Sequence, residues 1–329
     1  MLRDYKISII RILATISIVL CHLFQSQNMQ IAFWLNVGVQ IFLFMSGYLY
    51  GNKDITNTKE WIKKQFRKIL IPYYIYINFI LIIYFLFAKT ALNWKNILSL
   101  ILNLQLLVAM PKGLGHLWFI PVILIAYLIT PLLQKIVRSK KYSKIIKIFL
   151  LSSICIILQL FFLQGRINTG VCNLICYIVG YIMATINNKK HRNIIIYIIL
   201  PLAVISNFLK ILLQYQIHNN IIVRFLIYNS HILLGISIFI ILYMILKNIN
   251  KILSEKSKKY IDIIDRSCYY IYITHHTLIL GPISLISLTP IFLINLLIIL
   301  ICIIISVYLL KKASNILLKG ECKEWKKLC

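Results

Sequence analysis

Carboxylates are scarce in this chain: eight Asp and Glu stand against 36 Lys and Arg, a formal net charge of +28. Asp4, Asp54, Glu60, Glu255, Asp262, Asp265, Glu321 and Glu324 all lie in the polar stretches between apolar runs, and none falls inside a run. A proton pump or cation antiporter that relays charge through carboxylates needs one at membrane depth, so the commonest ion-coupled transport mechanisms are disfavoured. The short alternating segments of a strand barrel are absent. No polar stretch is long enough to fold as a separate soluble domain, and no internal repeat is legible. Cys172 and Cys176 sit four apart on one helix face, but no His or carboxylate joins them. The cysteines therefore read as small buried apolar residues, and no metal site is expected.

What is present is apolar length. Hydrophobic residues make up 60% of the 329, charged residues 13%, and the mean hydropathy is +0.86. Ten runs stand out, at residues 7–24, 34–51, 69–88, 116–134, 148–163, 170–187, 193–209, 226–246, 267–286 and 290–310. Runs of this kind approach the ~20 residues that an α-helix needs to cross a bilayer core. The fold class is all-α, a polytopic transmembrane helical bundle of about ten spans. The apolar stretch 97–110 is too short to cross and suits a re-entrant or interfacial helix. The first run follows a short basic segment like a signal peptide, yet Arg11 interrupts it and residues 21–25 lack a small-x-small cleavage pattern. It is read as a retained helix.

The basic residues set the orientation. With the N-terminus inside, the cytoplasmic side holds Arg3 and Lys6, six basic residues in 52–68, six in 135–147, three in 189–192, six in 247–266 and six in 311–327. The other side holds Lys89, Lys95, Lys112, Arg166, Lys210 and Arg224. Both termini are expected in the cytoplasm, with a membrane domain over 1–310 and a basic tail over 311–329. Most of the lysines need only anionic lipid as a partner. No nucleic-acid partner is expected.

Arg11 and His22 carry the strongest chemical signal. Eleven residues apart, they fall within about 20° of each other around a helix and about 16 Å apart along it. An arginine at that depth costs free energy unless it snorkels or faces the bundle interior. Among the other histidines, His231, His275 and His276 are read mainly as buried imidazoles bonded to neighbouring helices, and His191 and His218 as loop residues.

The pair has company. The segment from Arg11 to His22 resembles the Arg/Lys-x10-His helix of the acyltransferase-3 family of integral membrane O-acyltransferases. The run Gly38-Val-Gln-Ile-Phe-Leu-Phe-Met-Ser46-Gly47-Tyr48-Leu resembles that family's second helix. Lys64-x-x-Arg67, followed by Lys68-Ile-Leu-Ile-Pro72-Tyr73, is similar to its basic stretch leading into a proline-opened third helix. Gly115-His116-Leu-Trp118-Phe119 and Ser267-Cys-Tyr-Tyr-Ile-Tyr272-Ile-Thr-His275 resemble two later family segments. Two departures stand out. Ser8 occupies the place, three before the arginine, where the family often has Asp, and Lys64 replaces an arginine able to grip a phosphate with two parallel bonds. The family's frequent C-terminal esterase-like domain is also not expected here.

The resemblance implies transfer of an acetyl or other short acyl group from cytosolic acyl-CoA to a hydroxyl of an exported or cell-surface carbohydrate. The acyl-CoA is a co-substrate, and no bound cofactor is implied. His22 would take the hydroxyl proton, or would itself accept the acyl group and pass it on. Arg11, with Lys64, Arg67 and Lys68, would hold the donor's phosphates or amides. His116, Ser46, Gly47, Trp118, Tyr272 and His275 would support the acceptor side, with interface anchoring the competing role for Trp118 and helix packing for Gly47. The alternative function is a transporter or flippase of a polysaccharide or lipid-linked sugar, which would use the 20 Tyr, 16 Phe and 5 Trp for stacking.

Overall fold

The computed structural model of the chain describes residues 3–139, 143–164, 169–186, 188–213 and 221–328; Arg166 and His218 lie outside them. Among the described residues there are helices, turns and no strand. The helices in chain order are α1 (Tyr5–Ser26), α2 (Ile31–Leu35), α3 (Gly38–Gly51), α4 (Thr58–Phe87), α5 (Trp94–Leu102), α6 (Phe119–Arg138) and α7 (Lys144–Gln164). They continue as α8 (Leu174–Thr185), α9 (Lys189–Leu213), α10 (Ile221–Ile245), α11 (Ile249–Ile252), α12 (Glu255–Asp265), α13 (Cys268–Ile279) and α14 (Phe292–Leu328).

Among the described residues seven helical stretches are long and apolar enough to cross a membrane: Tyr5–Ser26, Ile31–Gly51, Thr58–Phe87, Gly115–Arg138, Lys190–Leu212, Phe225–Ile252 and Phe292–Leu318. Phe149–Leu160 and Gly170–Thr185 are shorter apolar helical stretches. The run 267–286 folds as the 12-residue α13, about 18 Å long at ~1.5 Å per residue. Gly281 at φ 99° and Pro282 explain why the helix stops early.

Three other sequence expectations change in detail. The third helix is not opened by Pro72. It begins at Thr58, where Asn57 Oδ1 accepts from the Glu60 amide at 3.1 Å, and Pro72 lies inside it. The short apolar helix starts earlier, at Trp94, and ends at Leu102. Asn93 and Asn96 cap its start reciprocally, and Asn103 closes it in the left-handed region at φ 57°. Lys210 is no loop residue. It lies in the last turn of α9, 1% exposed, with Nζ 3.0 Å from His231 Nε2 and 4.2 Å from the Trp34 ring. The tail residues from 311 continue α14 without a helix break.

The chain divides into two compact units. The first comprises residues up to Ile18, Trp34–Thr56 and Val122–Asp265, and the second Val19–Phe33, Asn57–Pro121 and Arg266 onward. In the first unit α3 and α8 meet backbone to backbone. A Cβ on Gly47 would strike the Tyr177 carbonyl, and one on Gly180 would strike that of Phe44. Apolar burial supplies little drive between helices in lipid, so this close approach supplies the dispersion contact that holds the pair.

In the second unit α13 packs on α4 and α14. Ile279, Ile299, Ile303 and Val307 form its core, with Val19 and Leu23 of α1 against them. The Tyr76 hydroxyl meets Thr277 Oγ1 at 2.8 Å, and Tyr269 donates to the Ile69 carbonyl at 2.8 Å, one turn before Pro72. Gly113, at φ 94°, lies where a side chain would collide with Tyr84 and the Leu280 carbonyl, so the loop before His116 is held against the end of α13.

Candidate active site

The second unit gathers four of the chain's seven histidines. His22 comes from the last turns of α1, His116 from the 3₁₀ turn Gly115–Trp118, and His275 and His276 from α13. The His22 ring centroid lies 4.3 Å from that of His276, edge to face, and 5.3 Å from that of His275. His116 stacks on His276 at 4.5 Å with an interplanar angle of 20°, and lies 5.5 Å from His275. His116, His275 and His276 are buried, at 4%, 0% and 6% exposed, whereas His22 is half-buried. The cluster thus has one accessible imidazole backed by three enclosed ones.

Hydrogen-bond partners assign the ring protons. His22 Nδ1 lies 3.0 Å from Gln25 Oε1, an acceptor, so Nδ1 carries the proton and Nε2 keeps its lone pair. His116 Nε2 donates to the Ile273 carbonyl at 3.0 Å, and His275 Nδ1 donates to that of Ile271 at 3.0 Å. The Tyr272 hydroxyl donates to the His116 carbonyl and fixes the turn from the α13 side. Three buried nitrogens are left without a partner: His116 Nδ1, His275 Nε2 and His276 Nδ1. A buried polar atom in this state costs about 1–3 kcal/mol, a cost recovered when a ligand supplies the missing bond. Among the described residues no group of three His, Cys, Asp or Glu is arranged to hold a metal ion.

Tyr272, His116 and His275, proposed from sequence on the acceptor side, therefore stand with His22. Trp118 is half-buried, its ring 6.5 Å from that of Phe119. Lys64 and Lys68 are exposed and Arg67 half-buried, all on the first half of α4.

Arg11, Ser46 and Gly47 belong to the first unit. Gly47 is engaged by α8 as described, and Ser46 beside it is half-buried. Arg11 Nη1 pairs with Asp265 Oδ1 at 2.6 Å. Asp265 also takes Arg3 Nη2 and, at 3.0 Å, the Ser8 hydroxyl, while Arg3 Nη1 reaches Asp262 at 2.9 Å.

Sequence reasoning missed three residues here. Gln25 was findable, since it stands three after His22 on the same helix face. His276 was visible only as the neighbour of His275, about 100° away around the helix, a separation that hides their shared contact with His22. Asp265 was read as a loop acid, because its partners lie more than 250 residues away in the chain.

A profile describing an acyltransferase domain, that of acyltransferase family 3, matches residues 4–311. No curated protein and no solved structure matches the chain.

Proposed function

The chain belongs to the acyltransferase-3 family, and from that premise we propose that it moves an acetyl or other short acyl group from cytosolic acyl-CoA to a hydroxyl of an exported or cell-surface carbohydrate. His22 is the base. Its Nε2 takes the proton of the acceptor hydroxyl as the oxygen attacks the thioester carbonyl. The carbon–sulfur bond then breaks, and CoA leaves as a thiolate that recovers the proton. The single observation that carries this reading is the convergence of four imidazoles, with His22 Nδ1 anchored on Gln25 and its Nε2 free. Anchoring one nitrogen fixes the neutral tautomer and aims the other, which is the arrangement a general base requires.

The other parts follow as proposals. Arg11 holds the donor's phosphate, with Lys64, Arg67 and Lys68 drawing the anionic nucleotide toward the basic face. The unpartnered nitrogens of His116, His275 and His276 receive acceptor hydroxyls. Counting Phe149–Leu160, Gly170–Thr185 and α13 as short crossings beside the seven long ones gives ten spans. Both termini then lie in the cytoplasm, with Lys311 and Lys312 near anionic lipid of the cytoplasmic membrane. Family membership favours acyl transfer over the export reading.

The test is consumption of radiolabelled acetyl-CoA by the purified protein offered a panel of cell-surface glycans. The wild type labels an acceptor and His22→Ala does not, at equal abundance in the membrane. Label transfer at the wild-type rate by His22→Ala would end the assignment.

A further inference from the structure

Asp265 closes α12, and its side chain is 4% exposed. A carboxylate this enclosed is stable as an anion only when cations and donors surround it. Here they do. Oδ1 accepts from Arg11 Nη1 at 2.6 Å, while Oδ2 accepts from the Ser8 hydroxyl at 3.0 Å and from Arg3. Arg3 also donates through Nε to Ser8 Oγ at 3.2 Å and pairs with Asp262 at 2.9 Å. Two guanidinium groups face two carboxylates, so the group is neutral as a whole.

The two arginines differ in what they have left. Arg3 spends three nitrogens on Ser8, Asp262 and Asp265. Arg11 gives Nη1 to Asp265, and its side chain stays 29% exposed. A guanidinium has five N–H groups in a rigid plane, so fixing one edge determines where the others point. A free arginine on this face would sample many rotamers and lose that direction.

We propose that Asp265 is the positioning residue of Arg11, holding its guanidinium so that the open edge meets a phosphate oxygen of the acyl-CoA donor. This rests on the donor role given to Arg11 above. Ser8 supplies the means of testing it. It stands three residues before Arg11 on the same face of α1, and its hydroxyl already touches Oδ2. An aspartate at position 8 therefore brings a carboxylate to the place that the Asp265 carboxylate occupies.

The experiment uses the full-length protein and labelled acetyl-CoA, with KM for the donor and kcat measured at saturating acceptor. Asp265→Asn should raise the donor KM about tenfold, the scale of one charge-assisted hydrogen bond, with kcat within about twofold of the wild type. Ser8→Asp combined with Asp265→Ser should bring the donor KM back to within about threefold, since the carboxylate is restored from the other helix. A purely architectural role predicts lost protein or a lower kcat, and no recovery of KM in the double variant. A wild-type donor KM in Asp265→Asn overturns the proposal, as does a double variant that is inactive or no better than Asp265→Ser alone. If Asp265→Asn does not accumulate, the double variant decides by the same criterion. A wild type that never consumes acetyl-CoA removes the functional reading and this inference together. An active wild type with unresponsive variants removes the inference alone.

Discussion

The Arg3–Arg11–Asp265 group and the four-histidine group handle buried polarity in opposite ways. In the first, every partner is an ion or a hydroxyl, and charge is balanced by charge. In the second, neutral rings touch one another and three nitrogens face no partner. The difference follows from the cost of burial. An unpaired ion in a low-dielectric interior costs several kcal/mol and must be compensated within the fold itself. A neutral imidazole nitrogen costs about 1–3 kcal/mol, little enough to be left open within the fold. The charged group is balanced within the fold and keeps one edge of Arg11 open, while the histidine group keeps three nitrogens open.

The contrast can be broken most severely by leaving the carboxylate alone. Replacing Arg3 or Arg11 singly by Met leaves Asp265 one cation. The double substitution strands it, and should cost about 3–5 kcal/mol, read as a large drop in melting temperature in detergent. The same kind of substitution in the histidine group should move stability far less. His276→Leu removes one unsatisfied nitrogen and one hydrogen bond to the Gly113 backbone, so the two changes offset and thermal unfolding should shift by no more than about 1 kcal/mol. Acyl transfer by that variant should nevertheless fall roughly tenfold. A variant that loses stability and activity in proportion would mean that His276 only packs.

Gln25→Leu tests the anchoring of His22. Freed of its partner, the imidazole redistributes between tautomers and rotamers, and kcat should drop about three- to tenfold, the worth of one neutral hydrogen bond, with little change in either KM. Smallest of all should be Lys64→Ala. Its side chain is exposed, and a screened surface charge should shift the donor KM by no more than about twofold, less at high salt.

Much of this molecule is readable from local pattern. The helical class, the seven long apolar stretches and the five family-like segments follow from runs of neighbouring residues. His22 could be named because it shares one helix with Arg11. What was read amiss lay outside the apolar runs or depended on distant residues. α4 begins eleven residues before the apolar run because Asn57 caps it, and the amphipathic turn that follows carries Lys64, Arg67 and Lys68. Lys210 looked like a loop cation until α9 continued past it to enclose it beside Trp34 and His231. Gly47 had two readings, and only the position of α8 shows which surface its missing side chain serves.

The sequence by itself determined that this chain is helical, apolar over bilayer lengths and strongly basic, because those properties are summed along consecutive residues. It also marked one helix as carrying a guanidinium and an imidazole. Tertiary structure alone decided that His116, His275 and His276 join His22, and that Asp265 answers Arg11. Those contacts bring together residues from 94 to 254 positions apart, and no local periodicity encodes which distant side chain will fill a given space.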